Sequence, residues 1–182
     1  MSELKNPGII ASMLNQELKR RYPERNLKVH AAPFDSKAKS PIRHKLTVID
    51  RGVCVAAAEA SMEKGIHEIL KNAMDEFDKS ETLKDPSEDV GRVERAIAHL
   101  KSKFPRAEFH VTLWPYDARF SFPGFAVSFT VGEGESYFSS TRVHRHMPED
   151  QQFAEIYAGV NHLLKFSRGE ALDDNLDEES PY

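Results

Sequence analysis

The chain is expected to be an α+β protein built by tandem duplication of one unit: a helix, three antiparallel strands and a second helix. Three observations predict this. Residues 17–35, ELKRRYPERNLKVHAAPFD, recur without gaps 82 residues later as residues 99–117, HLKSKFPRAEFHVTLWPYD. In that register Leu18, Lys19, Pro23, Val29, Pro33 and Asp35 meet Leu100, Lys101, Pro105, Val111, Pro115 and Asp117. A fixed period of this kind marks one supersecondary unit used twice. The apolar spacing also switches from helical to alternating at matching places in both halves. Finally, each half holds two strand-like runs around turn residues, Arg51-Gly52 in the first and Gly132-Glu133-Gly134-Glu135 in the second. The expected division is a first unit at 1–80, a linker at 81–91, a second unit at 92–168 and a disordered acidic tail at 169–182. The two units are expected to pack as a pseudo-two-fold pair.

The elements follow in order. Ile10, Met13, Leu14 and Leu18 lie at helical spacing in residues 9–22, and Pro23 ends the run. Leu27, Val29 and Ala31 alternate with polar or small residues, as in a half-buried strand. Residues 44–50 and 53–60 form a hairpin. Ser61 is placed to cap a helix over 62–77 whose apolar face is Ile66, Ile69, Leu70, Ala73, Met74 and Phe77. In the second half Val93, Ile97, Leu100 and Phe104 make the opening helix, ended by Pro105. Phe109, Val111 and Leu113 alternate as a strand, residues 125–131 and 136–144 make a hairpin, and residues 149–166 close the unit as a helix. Residues 78–91, DKSETLKDPSEDVG, are polar and contain Pro86, which suggests a linker.

Composition narrows the setting. The formal net charge of −4 is unevenly spread: each unit carries about +2, while the linker and the tail hold the acidity. The lone Cys54 excludes an intramolecular disulfide and suits a reducing, cytoplasmic location. No apolar run approaches the ~20 residues that cross a bilayer, so no membrane partner is expected.

Two resemblances are carried by these residues. The order helix, three strands, helix resembles the double-stranded-RNA-binding domain, which grips phosphates with lysines at the start of its closing helix. The matching positions here read Ser61-Met62-Glu63-Lys64 and Met147-Pro148-Glu149-Asp150-Gln151, acidic where phosphates would sit. The resemblance therefore implies topology rather than duplex-RNA binding. The last residues, LDDNLDEESPY, resemble the acidic tip of bacterial single-stranded-DNA-binding proteins, with Tyr182 in place of a terminal phenylalanine. That resemblance implies a tip that docks on partners through its ring and carboxylate.

Aromatic and basic residues gather in the second unit. Phe125, Val127 and Phe129 share one strand face and belong to the core. Trp114, Tyr116, Phe120 and Phe122, with Arg119, Arg142 and Arg145 nearby, are the candidate binding surface, because exposed rings beside cations can stack bases or anchor a protein. His144-Arg145-His146 puts two imidazoles on one side of a strand, and His110 and Asp117 could add ligands, yet no Cys pair or helical His pair completes a zinc set. Asp35 and Asp117 follow a Pro-aromatic pair in both copies and read as turn caps, not as an acid/base couple. No phosphate-binding loop or nucleophile elbow is present. Cys54 sits within an apolar strand, where a thiol is inert.

The sequence thus points to a non-enzymatic protein-binding module or inhibitor, of the kind a phage or other mobile element encodes, acting through the aromatic loop and acidic tail and needing no cofactor. The alternatives are a nucleic-acid-associated protein that handles single strands with a partner-recruiting tip, and a metal-dependent enzyme using His144 and His146.

Overall fold

The computed structural model describes residues 5–33, 42–114, 124–131, 135–142 and 147–167. The elements run α1 (Pro7–Arg21), β1 (Lys28–Pro33), β2 (Arg43–Asp50), β3 (Val53–Ser61), α2 (Ile66–Phe77), α3 (Glu81–Lys84), α4 (Ser87–Lys103), β4 (Ala107–Trp114), β5 (Gly124–Val131), β6 (Glu135–Arg142) and α5 (Glu149–Ser167). The fold class is α+β, and both halves keep the order helix, three strands, helix.

The repeated Pro23 and Pro105 act in the same way on the backbone. The residue before a proline is pushed out of the helical basin. Tyr22 accordingly caps α1 at φ −127°, ψ 66°, and Phe104 caps α4 at φ −131°, ψ 71°. Each donates its N–H one turn back, to Leu18 and to Leu100, at 2.8 Å in both cases. The buried Ala11, Leu14 and Leu18 of α1 stand 82 residues before the buried Val93, Ala96 and Leu100 of α4.

All six strands form one sheet in the order β1-β2-β3-β4-β5-β6. Neighbours are antiparallel except at the centre, where β3 and β4 run parallel and meet at Val53 and Leu113. This order corrects the expected two-fold. A two-fold axis would bring equivalent strands together at the middle, such as β3 with β6, whereas β3 meets β4. The second half lies beside the first and points the same way. The join is narrow: Leu113 N–H donates to Gly52 O at 2.8 Å. Gly52 ends a two-residue hairpin turn with Arg51, both at positive φ (45° and 81°), as a type I′ turn requires. A Cβ on Gly52 would stand 2.7 Å from Val111 O and 3.0 Å from Val93.

The helices cover one face of the sheet. Leu46, Val48, Ala56 and Ala58 point to the first pair of helices, and Phe109, Val111, Leu113, Phe125, Val127 and Phe129 point to the second. One apolar cluster spans both halves, from Ile10 and Leu14 to Ile156 and Val160. The second half fills it with rings: Phe104 stacks on Tyr157, and Phe109 and Tyr137 flank Phe129. α5 comes so close to β6 that a Cβ on Gly159 would lie 2.6 Å from Ser139 Oγ.

The segment expected as a linker is structured. Residues 81–84 are helical, α4 begins at Ser87, and Leu83 and Val90 are buried. Ser80 accounts for much of this: its Oγ accepts from Leu83 N–H at 3.3 Å and donates to Val55 O at 2.5 Å. Pro86 sits at the start of α4, where a missing N–H costs nothing. Ser61 is not the cap of α2. It ends β3, the buried Met62 bonds to Ile42 O, and Gly65 precedes the helix.

Candidate functional site

Because side chains alternate along a strand, the face opposite the helices is defined by the register. It carries Lys28 and His30 on β1, Lys45 and Thr47 on β2, Ala57 and Glu59 on β3, His110, Thr112 and Trp114 on β4, Ser128 and Thr130 on β5, and Ser136, Phe138 and Ser140 on β6. Among the described residues no helix packs on this face. Its side chains are mainly hydroxyls and small groups. The cations Lys28, Arg43 and Lys45 are set against Glu59 and Glu108, and Arg43 pairs with Glu59 at 3.1 Å while Lys101 reaches Glu108 at 3.2 Å.

Trp114 is the last residue of β4, one step beyond the central join. Lys45 lies over its ring, Nζ 5.0 Å from the centroid, and both residues are half-buried. A cation over an indole face is held by the ring quadrupole. Burial pushes the Lys45 ammonium below the ordinary lysine range, while the neighbouring Cys54 sulfur acts in the opposite direction. Cys54 itself is buried in β3, as its apolar neighbours predict, with Sγ 3.6 Å from Ala56 O. Lys45 gave no local sequence signal, since its ring partner is 69 positions away and on a non-adjacent strand.

The other candidate residues divide simply. Tyr116, Arg119, Phe120, Phe122, Arg145, Tyr182, His144, His146, Asp35 and Asp117 lie outside the described residues. Arg142 is the last residue of β6, paired by backbone with Gly124. Trp114 and Arg142 thus sit at the same end of adjacent ladder positions, across Gly124. Phe138, on the edge strand β6, is 65% exposed. Among the described residues no group of three or more His, Cys, Asp or Glu is placed to hold a metal ion. No described helix is long and apolar enough to cross a membrane.

A second surface lies between α1 and α2, a groove of about 510 Å³ lined by Met13, Leu14, Leu70 and Met74. Its charged rim is internally paired: Glu17 with Arg20 and Arg21, and Lys71 with Asp75.

Set against known proteins, the chain matches no family model, no curated protein and no solved structure.

Proposed function

We propose that the chain is a tandem duplication of an αβββα unit and that it works as a non-enzymatic protein-binding module through the sheet face opposite its helices. The supporting observation is that this face spans six strands, is left uncovered by the described helices, and is rich in Thr and Ser with few unpaired charges. Protein interfaces are depleted in charge at their core and are anchored by aromatic residues, which Trp114 and Phe138 would supply on this face. Nucleic-acid surfaces differ, because phosphate binding draws its affinity from an excess of cations. Three cations against two carboxylates give little such excess. Trp114 also has Lys45 over one ring face, so a base would have to displace the ammonium or use the other face.

Electrophoretic shifts with single-stranded oligonucleotides test the choice. No shift is expected at moderate salt, and substituting Lys45 or Trp114 should leave that result unchanged. Crosslinking of the intact chain in its source cell should give a protein adduct that Thr112→Arg and Ser128→Arg remove, since large cations there would obstruct contact across the face. A tight oligonucleotide complex lost on Trp114→Ala would overturn the reading in favour of single-strand handling.

A further inference from the structure

β3 extends past the end of its central neighbour. It meets β4 at Val53 and Leu113, β4 ends one residue later at Trp114, and residues 57–61 of β3 run on beside no described strand on that side. The hairpin register shows where their backbone groups point. Met62 N–H donates to Ile42 O at 2.8 Å, and Ser61, Glu59 and Ala57 stand opposite Arg43, Lys45 and Thr47. Antiparallel pairs alternate between bonded and non-bonded, so Ala58 and Ala60 bond to β2, while Ala57, Glu59 and Ser61 turn their N–H and C=O groups away from it. Both ends of this stretch are tied off: Val55 O accepts from Ser80 Oγ at 2.5 Å, and Ser61 O accepts from Lys64 N–H at 3.2 Å. Between them the amides and carbonyls of Ala57 and Glu59 and the amide of Ser61 have no partner among the described residues.

The same stretch lines a cavity of about 220 Å³ whose other wall is α2. Ala60 and Ile69 give it apolar walls, and Asn72 adds a side-chain amide. Of the ionic side chains that line it, Arg43 and Lys64 are cations and Glu59 is a carboxylate, an excess of one positive charge. Their pairs, Arg43 with Glu59 at 3.1 Å and Lys64 with Glu68 at 2.7 Å, are open to solvent and so weak enough to exchange.

We propose that this gap binds an extended peptide of a partner protein, which pairs with residues 57–61 as an added strand, sets an apolar side chain into the cavity and brings a carboxylate to Arg43 and Lys64. Outward N–H and C=O groups on alternate residues match an extended backbone and not a compact ligand. Side chains of such a strand also alternate. Those on the helix side meet Ala60, Ile69 and Asn72, which suits valine or isoleucine. Those on the other side stand beside Ala57, Glu59 and Ser61. A carboxylate opposite Glu59 would be repelled, so the acid belongs opposite Ser61, next to Arg43 and Lys64. Antiparallel pairing is the more stable arrangement, and it puts that acid at the amino end of the bound segment. The site is a strand edge rather than the sheet face assigned above, so either reading can fail without the other.

Amide NMR of the full chain tests this with the probe acetyl-Asp-Val-Thr-Val-Thr-amide. Without peptide, the Ala57 and Glu59 amides should exchange with solvent quickly and those of Ala58 and Ala60 slowly. Titration should shift the Ala57, Glu59 and Ser61 amides saturably and slow their exchange. Ala57→Pro removes an outward N–H and no bond to β2, so it should keep the strand pairing yet abolish the shifts at Glu59 and Ser61. Lys64→Glu, an exposed change, should weaken the aspartate peptide about tenfold and favour the same peptide with lysine in first place. Slow exchange of Ala57 and Glu59 in the chain alone would show the edge already paired and overturn the proposal. So would a titration without saturable shifts at the three amides, or one that neither Ala57→Pro nor Lys64→Glu alters.

Discussion

The guanidinium of Arg25 holds the buried carboxylate of Asp50 by two hydrogen bonds to Oδ2, from Nε at 3.0 Å and Nη2 at 2.8 Å. Its Nη1 donates to Leu83 O at 2.6 Å, and the guanidinium also lies over the Tyr22 ring, 5.3 Å from the centroid. One side chain thus ties the segment after α1 to the tip of the β2–β3 hairpin and to α3. Asp50 is 1% exposed, with Arg51 Nε as a longer contact at 3.4 Å.

Removing Arg25 leaves that carboxylate buried and poorly paired. Arg25→Met is expected to cost about 3 kcal/mol, since breaking a buried pair from one side is far worse than replacing both partners. The double variant Arg25→Met, Asp50→Leu should lose less than the single. Urea denaturation of the three proteins checks this, and additive losses would show that the two groups are not coupled.

Gly52 is the second sensitive point, because positive φ and close approach coincide there. Gly52→Ala must strain the turn and push β4 away at the place where the two halves join. A loss of ~1–3 kcal/mol is expected from the backbone conformation alone, and more from the contact with Val111 O. Hydrogen exchange should localise the effect: the Leu113 amide, which donates to Gly52 O, should lose protection in the variant.

What the sequence made legible is local. Pro23 and Pro105 end helices by a steric rule that acts on one residue, Arg51-Gly52 specifies its own turn, and alternation in residues 107–113 exposes the strand period directly. The relation between the halves was not legible, because it depends on β3 meeting β4 through Val53 and Leu113, and no local pattern encodes which strands become neighbours. In residues 81–91 the composition averages over the positions that pack. Leu83 and Val90 are single apolar residues in a polar run, yet both are buried. At the site, Trp114 was visible as an aromatic residue at a strand end, while Lys45 became significant only once the sheet brought it over the indole.

The closing helices offer a check on the core. Ile69 and Ile156 are 2% and 1% exposed and face the sheet from α2 and α5. Truncation of either to Ala should cost ~2–5 kcal/mol. Leu70, on the same expected apolar face as Ile69, and Tyr157 are half-buried, so Leu70→Ala should cost less than Ile69→Ala in the same thermal or urea assay.

His44 introduces a pH dependence. It is 5% exposed, and its Nδ1 has no hydrogen-bond partner among the described residues. Burial pushes the imidazole below its ordinary 6.5, so the folded chain keeps it neutral at pH values where the unfolded chain protonates it. Its contribution is therefore fully present above the unfolded value and declines as pH falls below about 6.5. His44→Leu removes both the unpaired nitrogen and the titration. The variant should gain stability relative to the parent as pH is lowered from 7.5 to 5. A difference that stays constant over that range would show that His44 does not titrate differently on folding.

Glu17 makes the clearest electrostatic prediction. Its Oε1 accepts from Arg20 Nη2 at 2.7 Å and from Arg21 Nε at 2.9 Å, and its Oε2 accepts from Arg20 Nε at 3.1 Å. Hydrogen bonds from Arg20, then from Arg21, pull the carboxyl down to about 2 from its ordinary 4.5. Arg21 continues the chain to Asp78 through Nη1 at 3.0 Å, which links the end of α1 to the end of α2. A lowered folded value means that the contribution exists above about 4.5 and is lost as pH falls towards 2. The group is open to solvent, so salt should screen it. Carboxyl-carbon NMR should find a midpoint well below 4 in dilute buffer, moving upward in 1 M salt and on Arg20→Ala. A midpoint at the ordinary value in dilute buffer would mean that the two arginines do not hold Glu17 in solution.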